Sequence, residues 1–352
     1  MDKQRALYYI ENSFLGSLLK DKDITDITYN GQDIYYVSNT KGRKKSEIKI
    51  EHQIARDFIR QIANIAERQF SFVSPILDIS VGRYRINATH QSIGKIEDDG
   101  VITFAIRLAS KQIKIDDDSD FFTPEIRELI QALLASHQSI VIGGVTSSGK
   151  TEFQKYLLYH MRKSERVIVI DNVLELDQVR NEDLDLTCWQ VSEDVAQASA
   201  ANLIRNALRN NPDWLIVAET RGAEMVDALN SAMTGLPLIT TLHSFDGQSI
   251  PYRMGRMMMK SEQKIDYKEA LNDIYYHFHY YFYLIKEEID GEIKRRISEI
   301  YFGDKNGMFY PLYLYKNGTH SYYPIPSEGM IMLDRYVGKE QLKVFRKEND
   351  EK

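Results

Sequence analysis

The stretch IGGVTSSGKTEF, residues 142–153, constrains this chain more than any other. Gly144, Gly149, Lys150 and Thr151 fit the pattern G-x-x-x-x-G-K-[ST]. An apolar run, SIVIGG, precedes the loop, and residues 152–162 read as a helix. A buried strand running through a glycine-rich loop into a helix aims backbone N–H groups and a helix N-terminus at an anion. Lys150 then supplies a point charge at the β- and γ-phosphates, and the Thr151 hydroxyl faces a Mg²⁺ ion carried with ATP. The candidate nucleotide-binding set is therefore Gly144, Thr146, Ser147, Ser148, Gly149, Lys150, Thr151 and Glu152.

A loop of this kind requires a layered α/β domain around it, and the flanking sequence supplies one. RVIVID, DWLIVAE and LPLITTLHS are further short apolar strands. EDVAQASAANLIRNALRNN and AEMVDALNSAMTG read as the helices between them, the second ended by Gly235. All-apolar strands alternating with helices predict a mainly parallel sheet covered on both faces. Upstream the texture differs. Residues 24–29 and 34–37 read as strands joined by an Asn30-Gly31 turn, a strong hairpin signal. Residues 54–67 predict an amphipathic helix with Ile54, Phe58, Ile62 and Ala66 on one stripe. GRYRINATHQ and VITFAIRLA alternate with period two, placing Arg83 and Arg85 opposite Tyr84, Ile86 and Ala88, and Arg107 opposite Ile102, Phe104 and Ile106. The expected organisation is a small α+β domain over residues 1–110, an acidic linker over 111–122, the nucleotide domain over 123–302, and a tail over 303–352 with no assignable chemistry.

Phosphoryl transfer to water needs a group that orients the water. Glu219 ends the third apolar strand, where ligands collect in such sheets. Asp171 and Glu175 follow the second strand; for Asp171 a turn role competes closely with a catalytic one. His243 closes the fourth strand and could meet the γ-phosphate or the water, although a lone histidine there is more often structural. His277 and His279, expected on one face of a strand, lack a neighbouring carboxylate or cysteine and read as packing. MGRMMMK reads as a helix face.

Composition narrows the classes. With 43% hydrophobic and 27% charged residues the 352-residue chain is of ordinary globular make-up, long enough for two cores. A net charge of −6 offers no global field for nucleic acid, leaving direct DNA contact an open question. The single cysteine, Cys188, excludes an internal disulfide and a thiolate metal cluster, and fits a reducing cytoplasm. No apolar run approaches the roughly 18 residues of a membrane helix, so a membrane role is expected to go through partners.

The ordered motifs resemble the ATPases of type II and type IV secretion systems and their pilus-assembly relatives. The resemblance runs from about residue 13 to about residue 300. It rests on the glycine loop, on Ile170-Asp171-Asn172 with Glu175-Leu176 as an acidic box, on NNPDWLIVAETRGAE with Glu219 and Arg221, and on Thr234-Gly235 with Thr241-Leu242-His243 as a histidine box. The segments DITDITYNG, SPILD, GRYRINAT and FAIRLAS are similar to that family's N-terminal domain. Asp171-Asn172 stands where Glu-Asp is usual, Leu236 where many members have a second histidine, and Ala218 where glycine is usual. The first departure makes Glu175 the safer carboxylate of its box.

The resemblance implies a homo-hexamer with a RecA-like nucleotide domain and ATP held between it and the N-terminal domain. Lys150, Glu175, Glu219 and His243 are then the catalytic candidates, with Arg85 and Arg107, and also Arg83, as N-terminal arginines reaching the nucleotide. It implies a cytoplasmic protein held peripherally at the inner face of the membrane by a secretion machine, with a coupling protein as a possible partner. The lack of a four-cysteine zinc site points to the conjugative branch. A pilus assembly or retraction motor is the alternative, and a DNA-translocating motor, a small-molecule kinase and an ATP-dependent scaffold are the more distant ones.

Overall fold

The computed structural model describes residues 2–109, 113–116, 118–179, 183–192, 195–338 and 340–346. Parts of the expected linker and tail, with the boundary at Ser110, lie outside them. The chain forms two compact units, Met1–Lys111 with Glu288–Ile293, and Gln112–Glu287 with Lys294–Lys352.

The first unit begins with α1 (Lys3–Glu11) and α2 (Gly16–Lys20), then β1 (Ile24–Tyr29), β2 (Ile34–Ser38) and β3 (Gly42–Lys45). After α3 (His52–Ile65) come β4 (Ile76–Val81), β5 (Tyr84–Thr89), the short β6 (Lys95–Ile96) and β7 (Asp99–Gly100), and β8 (Thr103–Leu108). Six of these strands form an antiparallel sheet in the order β3-β2-β1-β8-β5-β4. The β1–β2 hairpin turns at Asn30-Gly31 as its sequence predicts. The Asn30 side-chain oxygen accepts from the N–H groups of Gln32 and Asp33, and Gly31 takes φ +100°. The expected faces of β5 and β8 hold: Tyr84, Ile86, Ala88, Phe104 and Ile106 are buried. The α3 stripe needs a correction. Ile54 is 46% exposed, because the buried face is rotated toward Ala55, Phe58, Ile59 and Ile62 and leaves Ile54 on its rim in the first turn.

The second unit runs α4 (Pro124–Ala135), β9 (Ile140–Gly144), α5 (Lys150–Tyr159), β10 (Arg166–Asp171), β11 (Asp185–Gln190), α6 (Ala200–Ala207) and β12 (Trp214–Val217). It continues with α7 (Met225–Met233), β13 (Leu238–Leu242), α8 (Ile250–Met258), α9 (Tyr267–His277), β14 (Tyr280–Ile289), β15 (Glu292–Gly303), β16 (Phe309–Lys316), β17 (Thr319–Tyr322) and α10 (Ser327–Leu333). Its sheet is ordered β11-β10-β12-β13-β9-β14-β15-β16-β17. The six strands from β11 to β14 pair in parallel, while β15, β16 and β17 extend the sheet as an antiparallel meander. The fold is thus mixed α/β, and the sheet less uniformly parallel than its apolar runs suggest.

Those runs are apolar because both faces are covered. Ile140 and Ile142 point into one core with Phe153 and Leu157, and Val141 into a second with Ile168, Leu215 and Val217.

Three local expectations change. The helix expected to begin near Glu193 starts at Ala200, capped by the Ser199 hydroxyl; Glu193 and Asp194 lie outside the described residues. His277 and His279 do not share a strand: His277 ends α9, and His279 stacks on Phe302, with its Nδ1 2.9 Å from the Gly303 carbonyl. The residues after Gly303 add two strands and a helix, and Leu312, Ile325, Leu333 and Phe345 join the core that holds Phe153. Met254, Met257 and Met258 form the buried face of α8. Among the described residues no helix is long and apolar enough to cross a membrane.

Candidate functional site

The loop between β9 and α5 is shaped by two left-handed residues, Ser147 at φ +63° and Gly149 at φ +100°. Gly149 caps α5, and a Cβ there would come within 3.1 Å of the Phe121 ring. The loop thus turns tightly enough to present its backbone at the helix N-terminus.

Lys150 sits in the first turn of α5 and is 9% exposed. Its ammonium donates to the carbonyls of Gly144 (3.0 Å) and Val145 (2.9 Å). Burial lowers its pKa to about 8, with the Glu219 carboxylate working in the opposite direction. Thr151 and Glu152 follow on the same turn. Glu152 is tied up: it pairs with the buried Lys155 at 2.9 Å and accepts from the Lys114 N–H at 3.3 Å. The Ser148 side chain is fully buried and its hydroxyl finds no partner among the described residues.

Strand order brings the other candidates to the same edge. β13 lies beside β9, and β12 beside β13, so the residues leaving their C-terminal ends collect near the phosphate loop. His243 Nδ1 is 3.4 Å from the Lys150 ammonium, and its Nε2 is 3.4 Å from Glu219 Oε1. The other Glu219 oxygen accepts from Arg221 at 2.6 Å. Glu224 Oε1 accepts from the N–H groups of Arg221 and Gly222, which shapes the turn carrying that arginine. Thr241 donates to the Ala218 carbonyl at 2.8 Å, fastening the ends of β12 and β13 together. Lys150, His243, Glu219 and Arg221 therefore form a continuous polar row.

Other candidates are placed differently. Asp171 is buried and accepts from the N–H groups of Val173 (3.2 Å) and Glu175 (2.8 Å), which is the turn role. Glu175 is half-buried on the loop this turn creates. Arg85 and Arg107 belong to the first unit. They face each other across the β5–β8 ladder, Arg85 paired with Asp78 (3.1 Å) and Arg107 with Asp26 (3.1 Å). Arg83 donates to the Leu19 carbonyl and the Tyr84 hydroxyl.

Sequence reading missed Arg295 on β15, whose Nε donates to the Ser147 carbonyl at 2.8 Å. The meander brings this residue, far along the chain, to the loop.

Among the described residues no group of three or more histidine, cysteine or acidic side chains could hold a metal by itself. A Mg²⁺ ion bound mainly by nucleotide phosphates needs only one or two protein oxygens. Thr151, in the first turn of α5, carries a hydroxyl of the kind that requirement takes.

A phosphate loop on a mixed α/β sheet, with a lysine, a histidine and a carboxylate gathered at one edge, defines a nucleoside-triphosphate-handling class. Residues 101–275 match the family model described as "Type II/IV secretion system protein". Over these residues the chain is similar to this family. Among curated relatives, an uncharacterized protein of Bacillus anthracis is 30% identical over 291 residues, 79% of this chain and 64% of that protein. The chain thus spans a little under two thirds of that relative's length. A Mycobacterium tuberculosis protein, named as a candidate conjugal transfer protein, is 24% identical over 250 residues, 68% of this chain and 71% of that protein. The crystal structure of the Legionella pneumophila ATPase DotB matches in fold at 18% identity, with a TM-score of 0.57, over 94% of this chain and 82% of that one.

Proposed function

We propose that this protein hydrolyses ATP to power macromolecular transport by a type IV secretion machine of the conjugative kind. The observation that carries the reading is the row Lys150–His243–Glu219 at one edge of the sheet, beside a phosphate loop. Lys150 neutralises phosphate charge. Glu219 orients the attacking water, and His243, touching both, relays the state of the γ-phosphate between them. Glu175 is a second carboxylate of the site. Thr151 would hold, on the protein side, a Mg²⁺ ion carried with ATP, which would supply neutralisation of phosphate charge. The parallel half of the sheet supports a RecA-like nucleotide domain. The M. tuberculosis relative supports the conjugative branch, and the likeness to secretion-system proteins supports a homo-hexamer working with membrane-bound machine components.

Phosphate release and nucleotide binding on three proteins test this. Wild type should hydrolyse ATP with Mg²⁺, and Lys150→Ala should lose binding and turnover. Glu219→Gln should bind ATP and turn over at least 100-fold more slowly. A wild-type protein that never releases phosphate, as hexamer or as monomer, would overturn the reading. Normal turnover by Glu219→Gln would remove that residue from it.

A further inference from the structure

The sheet order β13-β9-β14-β15 sets a geometric problem for the segment after His243. His243 follows β13, yet the Gly247 N–H donates to Glu299 Oε2 on β15 at 3.0 Å. Three strand spacings separate β13 from β15, about 14 Å. The Glu299 side chain reaches part of that distance, and the segment after His243 covers the rest. The segment therefore crosses the end of β9 where the phosphate loop emerges. Gly143 records the crossing, since a Cβ there would meet the Ser244 hydroxyl at 2.3 Å and Ile250 at 2.6 Å.

The crossing segment is fastened on the far side at several points. The Tyr283 hydroxyl, on β14, donates to the Phe245 carbonyl. Glu299 takes the Gly247 N–H, and Gln248 reaches the Tyr301 hydroxyl at 3.5 Å. A reciprocal turn then closes it: the Ser249 N–H donates to Asp246 at 2.7 Å, and the Asp246 N–H to the Ser249 hydroxyl at 3.2 Å. The Phe245 side chain, by contrast, is 87% exposed, so its own packing does not hold the segment. Four residues before Glu299, Arg295 fastens the Ser147 carbonyl of the phosphate loop. Ser147 is a non-glycine residue in the left-handed region, a conformation that surrounding contacts must maintain. One strand thus grips both loops that meet at Lys150 and His243.

We propose that β15 is the positioning element of this site, with Arg295 setting the phosphate loop and Glu299, aided by Tyr283, setting the strap that carries His243. The proposal rests on the ATP-hydrolysis reading of that site. The two ends of the strand have different consequences. Arg295 shapes a loop that binds phosphate in ground and transition states alike, so losing it weakens binding and leaves the chemical step nearly intact. Glu299 orients a group needed for the chemical step, so losing it lowers kcat with little change in KM. Glu299 accepts the Gly247 N–H and also hydrogen-bonds the Tyr301 hydroxyl, and a glutamine oxygen accepts the backbone N–H equally well.

The test is steady-state ATP hydrolysis by the full chain with Mg²⁺, with melting curves to verify folding. Arg295→Ala should raise KM about tenfold, the loss of one hydrogen bond from a charged donor, with kcat within about twofold. Millimolar guanidinium should recover part of that affinity in Arg295→Ala and do nothing for wild type. Glu299→Ala should lower kcat about tenfold or more at unchanged KM, and Glu299→Gln should regain most of the loss. Should Glu299→Ala fail to fold, Tyr283→Phe removes only a hydroxyl and should lower kcat in the same direction. Wild-type kcat and KM in Arg295→Ala and Glu299→Ala would overturn the proposal. So would a Glu299→Gln as slow as Glu299→Ala, because the charge and not the acceptor would then matter. A wild type that hydrolyses no ATP would instead sink the underlying reading, so the two failures are distinguishable.

Discussion

Lys150 gives the sharpest quantitative prediction, because its titration and its function act on the same atom. Burial lowers its pKa to about 8 from an ordinary 10.5. ATP phosphates placed against the ammonium favour its charged form and restore a high pKa. Nucleotide binding above pH 8 must therefore take up a proton. With a free-state value near 8 and a bound-state value at or above 10.5, affinity is nearly constant up to about pH 7.5. It then falls by close to tenfold per pH unit. Between pH 7 and pH 9.5 the dissociation constant should rise about 30-fold. The phosphates of ATP are already ionised over that range, so they contribute no competing slope. Fluorescence titration at fixed ionic strength and fixed free Mg²⁺ measures the affinity. Calorimetry at pH 9 in buffers of different ionisation enthalpy counts the proton, which should approach one per nucleotide. An affinity flat from pH 7.5 to pH 9.5, with no proton uptake, would refute the argument. The same depressed pKa predicts a stability effect of defined sign. The folded protein binds this proton less tightly than the unfolded chain. The Lys150 contribution is therefore fully unfavourable below pH 8 and is relieved as pH rises from 8 to 10.5, by about 3 kcal/mol. Lys150→Met should accordingly raise the melting temperature at pH 7 while abolishing ATP binding.

Asp171→Ala removes a buried carboxylate that holds two backbone N–H groups, and should cost about 2–3 kcal/mol in urea denaturation; an effect under about 0.5 kcal/mol would contradict the turn role. Arg85→Ala and Arg107→Ala separate two uses of the N-terminal unit. Loss of an arginine that stabilises transferring phosphoryl costs about 10³-fold in rate, whereas loss of a surface pair with Asp78 or Asp26 is worth at most about 1 kcal/mol of stability. Hydrolysis rates of the assembled single variants decide between them, and near-wild-type rates for both would make the unit a docking module.

The sequence by itself determined whatever depends on neighbouring residues. The strand–loop–helix unit around Lys150 was legible because its apolar run, glycines and helix lie within one short window. The alternating faces of β5 and β8 were legible because period two is a local property, and the Asn30-Gly31 turn because one side chain closes it. Glu219 and His243 could be nominated from their places at strand ends, since such sheets collect ligands there. Their meeting with Lys150 was beyond sequence, because it depends on β13 lying between β9 and β12. Asp171 shows the converse: the sequence left two roles open, and the hydrogen bonds it makes in the fold favour the turn. The antiparallel meander was least legible. Its residues are rich in tyrosine and alternate in no pattern that names a partner, yet pairing across the sheet places Arg295 and Glu299 against loops that lie roughly 150 and 50 residues earlier in the chain. Long-range register decides such contacts, and register is set by the packing of the whole sheet, which no local window of residues contains.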